Sequence, residues 1–280
     1  LDAQGFQDMP VLNREQQLSW DEKGYVVFRN FFSSEQLDPI NDLIDNLWQS
    51  RESDVSQSVV TDIFLSTDQE QRLYFSDAPD DARGQPYKLN DLYLSFDEIR
   101  KVVLEQRLSS LINGLLDGEP MVCNTLNLEY GSQQDMHQDT LYMPSRVTNK
   151  MVASWIALEP ATRGNGPLIL YPGSHKADPY LFSSGRTNAI GGEMRDYFTY
   201  AKSLIAEQSI EPIEFHAEKG DLLIWHSQLL HGGSAIAEQG STRKSLVTHY
   251  FRRKDYLHRF WKIRKQGPGA YYYVKRALVA

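Results

Sequence analysis

The sequence predicts a mainly β fold with flanking helices, a double-stranded β-helix of the jelly-roll or cupin-like barrel type. Three observations carry that expectation. Between residues 121 and 251, short alternating or β-branched runs follow one another, separated by turn-forming residues. Long 3.6-residue periodicity is concentrated in the first 120 residues, where it marks helices that would cap the β core. One polar, Gly- and Ser-containing excursion, 175–207, interrupts the strands, as a jelly roll tolerates between its strands.

In chain order, the first dozen residues read as a loose arm. Asn13 is placed to cap a short helix over 15–20, and 24–32 is a β-branched and aromatic strand. Ser33, with acidic Glu35 in the first turn, opens a helix running to about 49. Leu37, Ile40, Leu43, Ile44 and Leu47 form its apolar stripe. Residues 51–90 are polar and contain a turn-rich stretch at 79–86, so they are expected to be a long lid or binding loop. A second helix is expected over 95–116, closed by Asp117 and Gly118. Strands follow at 121–130, 150–158, 166–171, 213–215, 221–225 and 244–251, with a helical patch at 193–205 inside the excursion. On the first of these strands, Val122, Asn124, Leu126 and Leu128 should share one face, and Cys123, Thr125, Asn127 and Glu129 the other. The whole chain, 1–280, is read as one domain. Its parts are a scaffold (1–120), a jelly-roll core (121–251) with a lid insert (175–207), and an extension (252–280).

A 280-residue chain that is 41% hydrophobic is long enough for a substantial core. A net charge of −8 argues against a nucleic-acid partner. No apolar run approaches the roughly 18 residues of a membrane span, and no charged-then-apolar leader is visible, so a cytoplasmic location is expected. The start at Leu1 leaves a removed leader open. The single cysteine, Cys123, excludes an internal disulfide and reads as a small buried hydrophobe. Arg252, Arg253, Lys254, Arg259, Lys262, Arg264 and Lys265 form a basic run, read either as a solvated face or as an anchor for an anionic substrate. Tyr256, Phe260 and Trp261 within it suggest packing against the body.

The chemistry centres on residues 136–143. Residues i and i+2 of an extended segment point the same way, so His137 and Asp139 can aim an imidazole nitrogen and a carboxylate oxygen at one point. A third ligand must come from elsewhere, and His231, followed by Gly232 and Gly233, is the candidate. Two histidines and a carboxylate on one face of a metal are the facial triad of non-haem Fe(II) oxygenases. Arg243 lies at the start of a later strand, where its fork would suit the distal carboxylate of a 2-oxoacid. Ser245, on the same strand face, could add a hydrogen bond.

Taken together, these motifs resemble the phytanoyl-CoA dioxygenase family of Fe(II)/2-oxoglutarate oxygenases. The resemblance spans most of the chain. It begins with Trp20-Asp-Glu-Lys-Gly-Tyr-Val-Val-Phe-Arg-Asn-Phe-Phe32 and continues in His137-Gln-Asp-Thr-Leu-Tyr-Met-Pro144. It is dense in Trp155-Ile-Ala-Leu-Glu159 and Asn165-Gly-Pro-Leu-Ile-Leu-Tyr-Pro-Gly-Ser-His-Lys176. Gly220-Asp-Leu-Leu-Ile-Trp-His226, His231-Gly-Gly-Ser234 and Arg243-Lys-Ser-Leu-Val-Thr-His249 complete it. It implies Fe(II) bound by His137, Asp139 and His231, 2-oxoglutarate as co-substrate paired with Arg243, and O2 as oxidant. Asn127 and Trp155 match positions lining the co-substrate pocket, with Thr140 and Ser245 further candidates. No catalytic residue beyond the metal ligands is implied. A carboxylate at Asp139, where halogenating relatives carry a small residue, implies hydroxylation of a small organic substrate with release of succinate and CO2. The spacing from His231 to Arg243 exceeds the family's usual gap by one residue, which asks for a loop insertion within 235–241 and keeps Arg252 and Arg253 as alternatives.

Each assignment has a competing reading. His226 competes with His231 for the third ligand position and otherwise reads as a strand-end histidine. His175 reads as a turn residue, Trp155 as plain core, and Tyr142 and His249 as either substrate-facing or packed. The same two histidines and aspartate would suit a Zn hydrolase, and a non-catalytic cupin-like ligand-binding barrel is the other alternative. The pattern that follows the His-x-Asp pair matches ectoine hydroxylases poorly, which argues against that substrate. Neither the substrate nor the oligomeric state is legible.

Overall fold

The computed structural model describes residues 12–54, 56–267 and 269–274, without the side chains of 258–261. The expected N-terminal arm, apart from Leu12, and the packing expected of Phe260 and Trp261 lie outside the described residues.

Local signals set the first elements. Asn13 accepts the Gln16 N–H while the Gln16 side chain accepts that of Asn13 (2.9 Å each), and this reciprocal box opens α1 (Arg14–Lys23). Gly24 ends the helix at φ +82°, where a Cβ would stand 2.5 Å from His175 Nδ1, so both backbone and space require glycine. β1 (Tyr25–Phe28) is shorter than expected. Gln36 accepts the Ser33 N–H (3.0 Å) at the start of α2 (Ser34–Gln49), which buries Leu37, Ile40, Ile44, Leu47 and Trp48.

The 51–90 segment corrects the expectation of a loop. It holds β2 (Val60–Ile63), β3 (Gln71–Tyr74) and β4 (Tyr87–Asn90), antiparallel neighbours that extend the main sheet. Its polar residues hid the strand signal because many of them pair with one another: Asp62, buried on β2, takes Arg72 from β3 and lies 3.3 Å from Lys88 on β4. The helix expected over 95–116 is two helices, α3 (Asp97–Val103) and α4 (Gln106–Leu116). The Glu105 carboxylate accepts the Leu108 N–H (2.9 Å), restarting the helix at a new angle so that both apolar faces reach the core.

The remaining elements are β5 (Pro120–Leu128), β6 (Met151–Ala157), β7 (Leu168–Leu170), α5 (Met194–Glu207), β8 (Ile213–Phe215), β9 (Leu222–His226), β10 (His231–Gly233), β11 (Ser245–Arg252), β12 (Ile263–Lys265) and β13 (Tyr271–Tyr273). The large sheet runs β1-β9-β6-β11-β5-β4-β2-β3, with β13 also on β5 and β12 on β13. The small sheet is β10-β7-β8. One face of the large sheet packs on the helices through Leu222, Ile156, Leu246 and Tyr250. The other, through Leu223, Trp225, Trp155, Val247 and Leu128, meets Leu168, Leu170 and Phe215 of the small sheet. Two facing sheets with helices outside one of them form the expected jelly-roll architecture.

Register decides which side chains face the interior. Leu126, Val247 and Trp155 stand side by side on the inner face, and Asn127, Leu246 and Ile156 on the helix face. A bulge on β5 pairs His249 with Asn124 but Tyr250 with Val122, leaving Cys123 as the extra residue. Val122 therefore packs with the helices while Asn124 faces inward, correcting the expectation that the two share a face. The first three residues of the basic run, Arg252, Arg253 and Lys254, have acidic partners. Arg252 grips Asp255 (2.9 Å for both bonds), Arg253 pairs with Glu119, and Lys254 lies 3.6 Å from Asp117.

Candidate active site

His137 and His231 are brought together by the backbone. His137 N–H donates to His231 O (2.9 Å) and His231 N–H to His137 O (3.0 Å), an isolated bridge that sets the two rings 4.4 Å apart, centroid to centroid. Asp139 opens the short turn Asp139–Leu141. One ligand atom from each of these three buried residues lies within 4.8 Å of the others.

Neighbouring groups orient each donor. His137 Nδ1 faces Asp135 O (2.7 Å) and His231 Nδ1 faces Leu229 O (3.0 Å). A ring nitrogen against a carbonyl carries the proton, so Nε2 of each ring is left with its lone pair for a metal. Asp139 Oδ2 accepts the Trp225 Nε1–H (2.7 Å), which leaves Oδ1, 3.5 Å from His231 Nε2 and 3.4 Å from His249 Nε2. Burial above all, with His231 beside it, pushes the His137 imidazole down to about 3, which keeps it neutral. Burial pushes the Asp139 carboxyl up, but the His231 and His249 imidazoles outweigh it and hold the group below the usual carboxylate range. Two imidazoles and one carboxylate, oriented from behind, are a divalent-metal site.

Behind the triad lies a small inner chamber of about 60 Å³, lined by Leu128, Trp155, Trp225, Val247 and Arg243, among others. Arg243 is 1% exposed, yet its Nε and Nη1 have no partner, and its guanidinium carbon stands 5.9 Å from the Trp155 ring. Burial pulls this guanidinium down to about 10, against the opposing influence of Glu159. Gly131, at φ +71°, makes room for it, since a Cβ there would lie 2.2 Å from Nη2. Ser245, on the same β11 face as Val247, has a buried hydroxyl without a partner, and so does the Trp155 indole N–H. A buried cation with unspent donors, beside a spare hydroxyl and N–H, fits a carboxylate-bearing co-substrate.

Several sequence-derived candidates fall elsewhere. Asn127 stands on the helix face of β5, in register with Leu246 and Leu89, because strand alternation turns it away from the chamber. The Thr140 hydroxyl donates to Gln228 Oε1 (3.4 Å) and lines neither chamber. Arg252 and Arg253 are taken by acidic partners, so Arg243 alone of the three reaches the interior. His226 accepts the Gln228 N–H (3.1 Å) and packs on Trp20 and His175, outside both chambers. Cys123 donates to His249 O (3.2 Å), and burial raises its thiol well above the ordinary value.

In front of the triad an outer chamber of about 830 Å³ opens. His249 borders both chambers, while Tyr142, 56% exposed, stands at the mouth with its ring 5.6 Å from that of His137. Two segments wall it. The strands of 60–90 supply Arg72, Lys88 and Asn90, and the insert supplies Asn188 and Ala189, held by Ala189 N–H to Leu141 O (2.8 Å). Trp225, Lys88 and Gly131 were not anticipated from the sequence. The alternation Leu223, Trp225 was the available signal for Trp225, but nothing local marks the other two.

A family model described as phytanoyl-CoA dioxygenase (PhyH) matches residues 20–245. The chain belongs to that family. Among curated proteins it is similar to a probable phytanoyl-CoA dioxygenase of Caenorhabditis elegans (26% identical, over 86% of this chain and 75% of that protein). It is also similar to the peroxisomal phytanoyl-CoA dioxygenase of Bos taurus (24%, over 86% and 68%). Among solved structures, EctD from S. alaskensis with bound Fe superposes with a TM-score of 0.66 at 16% identity, covering 98% of this chain and 84% of that one. That likeness shows the fold, and the family membership makes the chain a dioxygenase of the Fe(II)- and 2-oxoglutarate-dependent class. Phytanoyl-CoA dioxygenase family enzymes act on small molecules, and among the described residues no helix is long and apolar enough to cross a membrane.

Proposed function

We propose that His137, Asp139 and His231 hold Fe(II), that Arg243 pairs with the distal carboxylate of 2-oxoglutarate, and that the enzyme hydroxylates a small organic molecule bound in the outer chamber. The single observation that carries this reading is the buried Arg243, whose Nε and Nη1 have no partner among the described residues, behind a His-Asp-His cluster whose donors are already oriented. Fe(II) with 2-oxoglutarate supplies oxygen activation: one atom of O2 enters the substrate C–H bond and the other enters succinate, as CO2 leaves. The chain's own residues position and exclude. Trp225 holds Asp139 by Oδ2, leaving Oδ1 as the oxygen that would bind the metal, and Asp135 and Leu229 carbonyls hold the two rings. Trp155, Leu128, Leu168 and Val247 keep water away from the Arg243 ion pair, which strengthens it. Ser245 is offered as a second donor to the same carboxylate, and Tyr142 and His249 as substrate-facing residues.

The test is to add Fe(II) and 2-oxoglutarate anaerobically to metal-free protein and record the visible spectrum. A weak metal-to-ligand charge-transfer band is expected in the wild type, absent in His137→Ala and weakened in Arg243→Ala. Wild-type protein that holds iron but shows no band would overturn the assignment.

A further inference from the structure

The wall of the outer chamber opposite the metal site is made of polar groups held in place by two buried carboxylates that the oxygenase chemistry does not use. Asp62 is 4% exposed. It accepts from Arg72 Nε (2.6 Å) and Nη2 (2.8 Å) and from Asn90 Nδ2 (3.1 Å), with Lys88 Nζ 3.3 Å away. Asp91, 6% exposed, accepts from Asn124 Nδ2 (2.9 Å) and from the Thr125 N–H (3.0 Å). That fixes the Asn124 amide with its oxygen toward His249 Nδ1 (3.1 Å) and so sets the His249 ring. Arg72, Lys88, Asn90, Asn124 and His249 all line the chamber.

The donors on this wall exceed what the protein itself accepts. A carboxylate offers about four acceptor positions, and the four contacts to Asp62 use them. Among the described residues no acceptor takes Arg72 Nη1 or the remaining Lys88 N–H groups, and both side chains line the cavity. Arg72 and Lys88 are balanced by Asp62 and Asp91, so what the wall offers a ligand is unspent N–H donors on a cation rather than net charge. Glu70, at the rim, is exposed and already accepts the Ser66 N–H (2.9 Å), so solvent screens its charge. An alkyl chain laid on this wall would strip water from these groups and return no hydrogen bonds. Side chains pinned by buried carboxylates are preorganised, which suits recognition of a polar ligand.

We infer that the substrate is a small polar molecule carrying an oxyanion, carboxylate or phosphate, which Arg72 on the Asp62-anchored wall receives. This rests on the outer chamber being the substrate site. It sets the enzyme apart from an acyl-thioester hydroxylase, whose substrate would present an alkyl chain to the same wall.

The experiment uses the anaerobic Fe(II) and 2-oxoglutarate complex, whose visible band responds when a second ligand enters beside the metal. The probes are 3-hydroxybutyrate for a carboxylate, sn-glycerol 3-phosphate for a phosphate, and phytanoyl-CoA for the alkyl alternative. At least one small acid is expected to perturb the band in the wild type, and which of them does so identifies the oxyanion. The effect should need at least tenfold more acid in Arg72→Gln and recover in part in Arg72→Lys, while the unperturbed band keeps its wild-type 2-oxoglutarate dependence in both variants. Perturbation by phytanoyl-CoA but by neither acid, no response to either acid, or equal responses in wild type and Arg72→Gln would overturn the inference. Absence of the starting band in the wild type would instead indict the cofactor assignment, so the two failures are distinguishable.

Discussion

The two chambers on either side of the His-Asp-His cluster are built on different principles. The inner one is small, walled by tryptophans and aliphatic residues on β5, β6, β7, β9 and β11, and contains one cation without a partner. The outer one is more than ten times larger and polar, and its charges are paired within the wall. An unpaired buried charge costs stability in the free protein and is retained where a ligand completes it. A paired polar wall costs little when empty and discriminates among ligands by which donors they satisfy. Under the function proposed above, the inner chamber would be specialised for one invariant partner and the outer one for selecting substrate.

Substitutions that separate the two sharpen this contrast. The largest effect is expected from His231→Ala, which removes a ligand of the cluster: iron retention after gel filtration and oxygen-dependent succinate formation should both fall to background. Arg243→Met comes next. Losing two charge-assisted hydrogen bonds should weaken 2-oxoglutarate binding by roughly 10²- to 10³-fold. Ridding the free protein of a buried unpaired cation should meanwhile raise its unfolding free energy by about 1–3 kcal/mol. Denaturant titrations with and without 2-oxoglutarate read both signs, and a destabilised free variant would break the comparison.

Trp225→Phe keeps the packing but removes the N–H that fixes Asp139 Oδ2, so iron affinity should fall about 10- to 100-fold while Arg72-dependent acid binding at saturating iron is retained. Gly131→Ala places a methyl against Arg243 at a strained φ and should weaken 2-oxoglutarate binding about tenfold, with a loss of about 1 kcal/mol in stability. Metal affinity at subsaturating 2-oxoglutarate should be unchanged, which equilibrium dialysis would show.

The effect least connected to catalysis lies outside both chambers. Burial, with His175 and Lys150 adding to it, pulls the His226 imidazole down to about 4. The unfolded chain therefore takes up a proton near its ordinary value of 6.5 while the folded state resists until about 4. Stability contributed by neutral His226 is present above pH 6.5 and is lost as pH falls through that window, at about 1 kcal/mol per pH unit. The wild-type minus His226→Phe difference in unfolding free energy, followed from pH 7 to 4, should have that slope. A flat difference would show that the histidine is solvated.

Much of the inner region was legible because its signals are local. The His-x-Asp pair, the Gly-Gly after His231 and the alternation on β5, β6 and β11 depend on residues a few positions apart, and the architecture follows from the spacing of the strands. Arg243 was placed from one strand start, and the loop ahead of it delivers the side chain into the chamber. The errors arose where local periodicity is overruled. The single-residue bulge at Cys123 inverts the face of everything before it on β5, and Asn127 was assigned to the chamber although its neighbours across the sheet, Leu89 and Leu246, pack on the helices.

What the sequence determined by itself is the set of groups encoded within short segments: the caps of the early helices, the main core strands from β5 to β11, the metal-ligand candidates and the family. The tertiary structure alone decided what depends on pairing between distant segments. The 60–90 strands look like polar loop until Asp62, Arg72 and Lys88 are brought together, because a carboxylate is a solvated surface group until two other strands bury it among donors. Likewise Trp225, Gly131 and the Asp91–Asn124–His249 chain acquire their roles only through neighbours far away in sequence, since hydrogen bonds and steric contact depend on distance in space.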